Sequence, residues 1–412
     1  MLERLAFGEL ATKHHLALRG VDGHLRYEEC LTRQGFDGPY TILYHEHRPQ
    51  ALRAVGAPVH VPLGHDGASA GAAGHRSESA TAGLYRHHYR TLRSPASDVT
   101  PPGGEPAPPG VIQSHVPLLH NRDVILSSFG LRCADEAYRI NARADELVFV
   151  LGGRGAVRSP MGDVLVAPGD YVLLPKGLLY RWVFEGNEAP HGLSMEFFGG
   201  VGVPSRFRNP VGQLRMDAPY SHRDFRRPDF RGPLDEGLRE VWVKSGEELQ
   251  RFVYPHSPLD VVGWDGSLYP WAFPILNFQP RVSSVHLPPT WHGTFEASGA
   301  LICSFVPRPL DFHPDAVTCP YSHTSADVDE VLYYVEGEFS SRLGVGRGSL
   351  TLHPGGMPHG PHPGRYEASL GARRTDELAV MLDVSSRLIP TSHAHAIEDL
   401  DYEASFSDAA LT

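Results

Sequence analysis

The chain has 412 residues, enough at roughly 150 residues per domain for two or three domains that each bury a core. Its 37 Lys and Arg against 48 Asp and Glu leave a net charge of −11, which argues against binding nucleic acid through the bulk surface. Its 43 glycines and 36 prolines disfavour a helical bundle and suit short strands joined by turns, while its 24 histidines invite a metal or acid–base site that uses only a few of them.

The opening MLERLAFGEL lacks the apolar stretch and small-residue cleavage pattern of a signal peptide. No run of about 18 apolar residues occurs that would span a membrane as a helix. The four cysteines, Cys30, Cys133, Cys303 and Cys319, are far apart with no CxxC spacing, as expected for reduced thiols. These features predict a cytoplasmic protein with no membrane or nucleic-acid partner.

Residues 1–55 form an N-terminal β segment that ends in the strand-like PYTILYHEH. Residues 56–110 are rich in Ala, Gly and Pro, as in GHDGASAGAAGH and TPPGGEPAPPG, and are expected to be an insertion or linker too poor in apolar surface to order itself. His87 and His88 within it are expected to be solvated loop residues. Residues 111–205 carry β-branched and aromatic runs broken by Gly and Pro, such as DVILSSF and ELVFVLGG, an antiparallel β pattern. Residues 206–264 are a connecting segment, and helical spacing of apolar residues in PLDEGLREVWVKSGEELQRF predicts a helix there. Trp264, Tyr269 and Trp271 follow turns and are expected in the core. The β pattern resumes over 265–395, and 396–412 form an acidic tail expected to be peripheral.

The two β regions repeat each other. Gly169 to Tyr180 reads G-x5-P-x-G-x2-Tyr, and Gly348 to His359 reads G-x5-P-x-G-x2-His. Upstream, DELVFVLGG from Asp145 matches DEVLYYVEG from Asp329. Gly and Pro at fixed offsets mark turns between buried strands, so two similar barrels are expected. They differ where chemistry would sit. The second carries His323, Glu330 and His359 where the first carries Arg139, Glu146 and Tyr180. A guanidinium does not deprotonate to bind a divalent metal, so the first barrel is expected to lack a metal site.

The spacing G-x5-P-x-G-x2-H resembles the second signature of the cupin superfamily, and His323-x6-Glu330 resembles the first with one histidine missing. The fold expected is therefore all-β, a double-stranded β-helix duplicated as a double cupin (bicupin), with few short helices. Two histidines and one carboxylate make a facial triad with open positions that suits non-heme Fe(II), although the same ligands accept manganese.

Longer stretches extend the likeness. YSHTSADVDEVLYYVEGEF, LTLHPGGMPHGPHPG, VHLPPTWHGTFEA, ICSFVPRPLDFHP, GFDGPYTILYHEHRP and PLDVVGWDGSLYPWAFPI resemble the homogentisate 1,2-dioxygenase family in its bacterial branch. The resemblance implies that His323, Glu330 and His359 hold iron. It places the acid–base histidine in a strand upstream of the first ligand, at His286, with His292 as the rival for that role. It implies substrate-side roles for His353, as a support for a ligand more than in direct catalysis, and for its neighbour His362. Eukaryotic members carry a substrate-binding Tyr and a Lys where this chain has Phe339 and Arg342. Carboxylate binding is therefore expected to fall to Arg342, whose guanidinium suits bidentate pairing.

The activity implied is Fe(II)- and O2-dependent opening of homogentisate to maleylacetoacetate, in tyrosine and phenylalanine catabolism, by a homo-oligomer. No GxGxxG after a strand, GxxxxGK[ST] or GxSxG pattern points to another chemistry. Two other readings stay open: a related dioxygenase acting on a different hydroquinone or catechol, and a non-catalytic metal-binding cupin.

Overall fold

The computed structural model describes residues 3–61, 84–93, 114–186 and 188–407. These divide into two compact units, one within Met1–Val61, Ala96–His115 and Phe129–Pro274, the other within Pro62–Pro95, Val116–Ser128 and Ile275–Thr412. Strands dominate both, and the only α-helices among the described residues are the short Arg365–Ala368 and Ser392–Ala396. No described helix is long and apolar enough to cross a membrane.

In the N-terminal unit, strands Trp271–Pro274, Asp170–Leu174, Asp145–Gly152 and His191–Phe197 pair antiparallel in that order. A second sheet holds Gly162–Val166, Gly155–Ser159, Leu179–Val183 and Tyr138–Asn141, and continues into Glu240–Ser245, Glu248–Val253 and Ala54–His60. Between them lies a core that includes Val148, Val150, Val172, Leu174, Val157, Val164 and Trp182. Alternate residues of a strand share a face, so Val148 and Val150 point inward together, and Glu146 starts the same inward row. Each fully buried aliphatic side chain contributes about 1.5–3 kcal/mol.

The C-terminal unit is built alike. Gly293–Ala297, Ala300–Phe305, Leu378–Val384, Asp329–Glu336, Ser349–His353 and His87–Arg90 form one antiparallel row, and His323–Thr324 pairs with Pro358–His359. The duplication extends to single hydrogen bonds. Asp145 accepts from the backbone N–H of Lys176 at 2.7 Å and of Val201 at 2.8 Å. Asp329 accepts from Gly355 at 2.7 Å and Leu388 at 2.8 Å. Each aspartate thus pins two loops to the start of its strand, which explains why both repeats open on Asp-Glu. Gly177 and Gly356 stand at φ of +84° and +81°, left-handed values that favour glycine in that turn. The duplicated all-β barrel matches the double-cupin architecture expected from the motifs.

Several local expectations are corrected. The helix expected in PLDEGLREVWVKSGEELQRF is absent; Glu240–Ser245 and Glu248–Val253 form a hairpin closed at Gly246, whose φ is +66°. The β-branched and aromatic run Val241, Trp242, Val243 and a left-handed glycine favour strands over the apparent helical spacing. Most of 56–110 lies outside the described residues, but Ala54–His60 is a strand and His87 and His88 are buried in another. His87 Nδ1 is 2.6 Å from Glu398, and His88 bridges Asp399 at 3.2 Å and Ser349 at 2.8 Å. Their carboxylates come from the stretch expected to be a peripheral tail. That stretch also buries Tyr402 and seats Phe406 against His362. Trp264, Tyr269 and Trp271 are buried as expected, and the four cysteines are free thiols.

Candidate metal centre and cavity

His323 and His359 face each other in antiparallel register across their two short strands, with ring centroids 4.3 Å apart. Glu330, the second residue of Asp329–Glu336, reaches between them: its Oε2 lies 3.7 Å from His323 Nε2 and its Oε1 3.6 Å from His359 Nε2. These separations exceed a hydrogen bond, yet donor atoms of all three residues lie within 4.8 Å of one another. His323 Nδ1 is 3.3 Å from the carbonyl of Tyr321, and His359 Nδ1 is 3.1 Å from that of Met357. A ring nitrogen that donates to a carbonyl carries the proton, which leaves the Nε2 lone pairs free to bind. His359 Nε2 is buried and makes no hydrogen bond. A divalent metal satisfies that orphaned acceptor, so the donor set fits a metal of the kind such a triad holds.

His353 supports the carboxylate from beneath. It is fully buried, its Nδ1 lies 2.8 Å from Glu330 Oε1, and it does not line the cavity. Burial pushes its imidazole down to about 3, so it stays neutral. Burial works against the charge of Glu330, but contacts with His323, His353 and His359 hold it well below the usual carboxylate range. Contact with Glu330 in turn raises His323.

A cavity of about 1030 Å³, counted out to its open mouth, is walled by His323 and Glu330 on one side. His286, His292, Tyr321, Phe339 and Arg342 complete the polar and aromatic wall. The cavity therefore gathers most of the expected site residues, with three exceptions, of which His359 stands beside His323 without lining it. His353 belongs behind Glu330, and His362 does not reach the cavity. Its Nε2 is 2.8 Å from Ser405 and its ring stacks on Phe406 at 3.9 Å.

His286 is not in a strand. It sits in an irregular run followed by Pro288 and Pro289, which carry no backbone N–H to donate to a ladder. Its Nδ1 is 3.6 Å from Asp311 and its ring stands edge-on to Tyr321. Burial lowers its pKa while Asp311 opposes the shift. His292 ends the turn Pro289–His292, is buried, and leaves Nδ1 without a hydrogen bond. Burial, with Arg308 nearby, pushes it down to about 3.

Phe339 packs edge-on against Tyr334 at 4.6 Å within an apolar cluster, so it offers no hydrogen bond. The Arg342 guanidinium is buried, bonded through Nη1 to the carbonyls of Gly360 and Ser341, and has no carboxylate partner among the described residues. Arg308, by contrast, is neutralised by Glu377 at 2.8 Å. Asp311, Tyr321 and the Arg308–Glu377 pair escaped sequence reasoning, since no spacing links Asp311 to a histidine 25 positions earlier.

In the N-terminal unit the equivalent pair, Arg139 and Tyr180, also face each other across two strands. Glu146 receives Arg139 at 2.7 Å, Tyr180 at 2.5 Å and Asn141 at 2.7 Å, so both carboxylate oxygens are occupied by protein donors.

A family model described as the N-terminal part of homogentisate 1,2-dioxygenase matches residues 128–275. A protein of Saccharolobus solfataricus named "putative dioxygenase" is 33% identical over 405 residues, covering 97% of each chain. A homogentisate 1,2-dioxygenase of Bradyrhizobium diazoefficiens is 26% identical over 264 residues, covering 60% of this chain and 58% of that protein's length. Among solved structures, a cupin 2 conserved barrel domain protein of Leptotrichia buccalis is similar at 10% identity and a TM-score of 0.28, covering 65% of this chain and 86% of that one.

Proposed function

This chain belongs to the homogentisate 1,2-dioxygenase family, and from that membership we propose that it is an Fe(II)-dependent dioxygenase that opens the ring of homogentisate to maleylacetoacetate. The observation that carries the reading is the convergence of His323, Glu330 and His359, with free Nε2 lone pairs, beside a cavity that His323 and Glu330 line. Those three residues would hold Fe(II). Iron there supplies Lewis acidity to a ring hydroxyl and an electron source for O2.

The remaining work falls to the protein. Arg342, buried and without a carboxylate of its own, receives the substrate carboxylate. His286 takes the proton of the second hydroxyl, because its imidazole is neutral and Asp311 faces its other nitrogen, which favours the tautomer with Nε2 free. His292 is less suited to that task, since burial holds its basicity far lower. Phe339 and the apolar cluster around Tyr334 exclude water from the ring.

The test is O2 uptake by anaerobically Fe(II)-loaded protein, with homogentisate, gentisate and catechols offered separately. Uptake with homogentisate and a matching ring-opened product supports the reading. One observation favours a second reading, a dioxygenase for another hydroquinone or catechol: Phe339 offers the ring no hydrogen bond. Uptake only with one of the other rings would select it, and no uptake by iron-bearing protein would favour a non-catalytic cupin.

A further inference from the structure

Strand parity brings one more carboxylate to the metal centre. Leu332, Tyr334, Ala379 and Met381 all line the cavity. Across the two strands Leu332 pairs with Met381 and Tyr334 with Ala379, and the next pair on that face is Glu330 with Asp383. Directly opposed Cβ atoms lie roughly 4.5–5.5 Å apart, so the two carboxylates are neighbours.

The N-terminal unit repeats the arrangement, since Glu146 pairs with Glu196 in the corresponding register. There two side-chain cations balance two negative charges. Arg139 sits on Glu146, Lys244 sits on Glu196, and Asn141 reaches both at 2.7 and 2.9 Å. In the C-terminal unit the ion-pair partners of Glu330 are imidazoles, and Asp383 makes no hydrogen bond or ion pair among the described residues. Arg342 is bonded to backbone carbonyls and pairs with neither acid. Two adjacent carboxylates without cations repel each other. What one unit solves with an arginine and a lysine, the other leaves open to a doubly charged ion.

We propose that Asp383 is a positioning residue for the metal centre, supplying from outside the three-ligand set the second negative charge that a divalent cation at His323, Glu330 and His359 neutralises. The proposal rests on the metal reading above and goes beyond it by adding a residue that the ligand motif does not contain.

The test uses metal-free full-length protein titrated with Mn2+, followed by the loss of the free-ion electron paramagnetic resonance signal, alongside thermal melts without metal. D383N should weaken Mn2+ binding by about tenfold to a hundredfold, the range for residues just outside a ligand set. The same variant should raise the metal-free melting temperature, because it removes a repulsion that only the ion relieves. D383E should keep the affinity, and D383S should reproduce the loss if the asparagine variant folds poorly. E196Q should do the reverse, lowering the metal-free melting temperature and leaving Mn2+ affinity unchanged. Mn2+ affinity within twofold of wild type in D383N or D383S overturns the proposal. Wild-type protein that binds Mn2+ no better than His359→Ala overturns the metal reading as well, so the two failures are distinguishable.

Discussion

Arg139 faces Tyr180 across one pair of strands, and His323 faces His359 across its counterpart, with a glutamate between each pair. In the first unit every oxygen of Glu146 meets a protein donor, and Arg139 with Lys244 holds the buried acid below its usual range even though burial opposes that. In the second unit Glu330 is bonded only from behind, by His353, and its forward side faces two imidazoles that are too far away to donate. A duplicated framework has thus been closed in one copy by an internal salt bridge and left without one in the other. The lesson is about satisfaction of buried charge: where the chain supplies the counter-charge, no ion is needed.

The largest effect that would test this contrast is His359→Ala. It should leave the barrel folded by circular dichroism and abolish both metal binding and turnover. Retained activity in a folded variant would detach the chemistry from this cluster.

Next in size is Arg139→Ala. It leaves Glu146 buried without its cation and should cost about 3–5 kcal/mol, measured by urea unfolding. Metal affinity should not change. A metal-binding defect in this variant would break the division of labour between the copies.

A pH series separates the units further. Burial opposes the charge of His45, yet Asp260 and Glu29 push it up to about 9. Its contribution is full below the ordinary value of 6.5 and is lost as pH rises through about 9, so the N-terminal unit should loosen first in base. His292 is pushed down to about 3 by burial, so its neutral form stabilises the C-terminal unit above 6.5 and that contribution is lost as pH falls toward 3. Limited proteolysis of metal-free protein across this range should cleave the C-terminal unit first in acid and the N-terminal unit first in base. Simultaneous cleavage at both extremes would refute the assignment.

The smallest effect is Tyr180→Phe, at the position equivalent to His359. Glu146 keeps Arg139 and Asn141 and loses one donor, which should cost about 1–3 kcal/mol in a melt and nothing in turnover.

The sequence by itself determined the duplicated strands and the meeting of His323, Glu330 and His359, because both are local in character. Gly177 and Gly356 are demanded by a left-handed turn, Asp145 and Asp329 by the loops they pin, and His323, Glu330 and His359 by strands whose offsets are written in the repeat. The double-cupin architecture was legible for the same reason. Only the tertiary structure decided what depends on partners far along the chain. His87 and His88 became buried because Glu398 and Asp399, more than 300 positions away, meet their rings. The segment around Gly246 became a hairpin because its apolar residues pack with period two against Tyr138–Asn141, a strand some 100 positions earlier. Asp311 behind His286 and Asp383 opposite Glu330 belong to the same class. A buried charge is tolerated only where its counter-charge arrives, and that arrival is a property of the fold rather than of any local pattern.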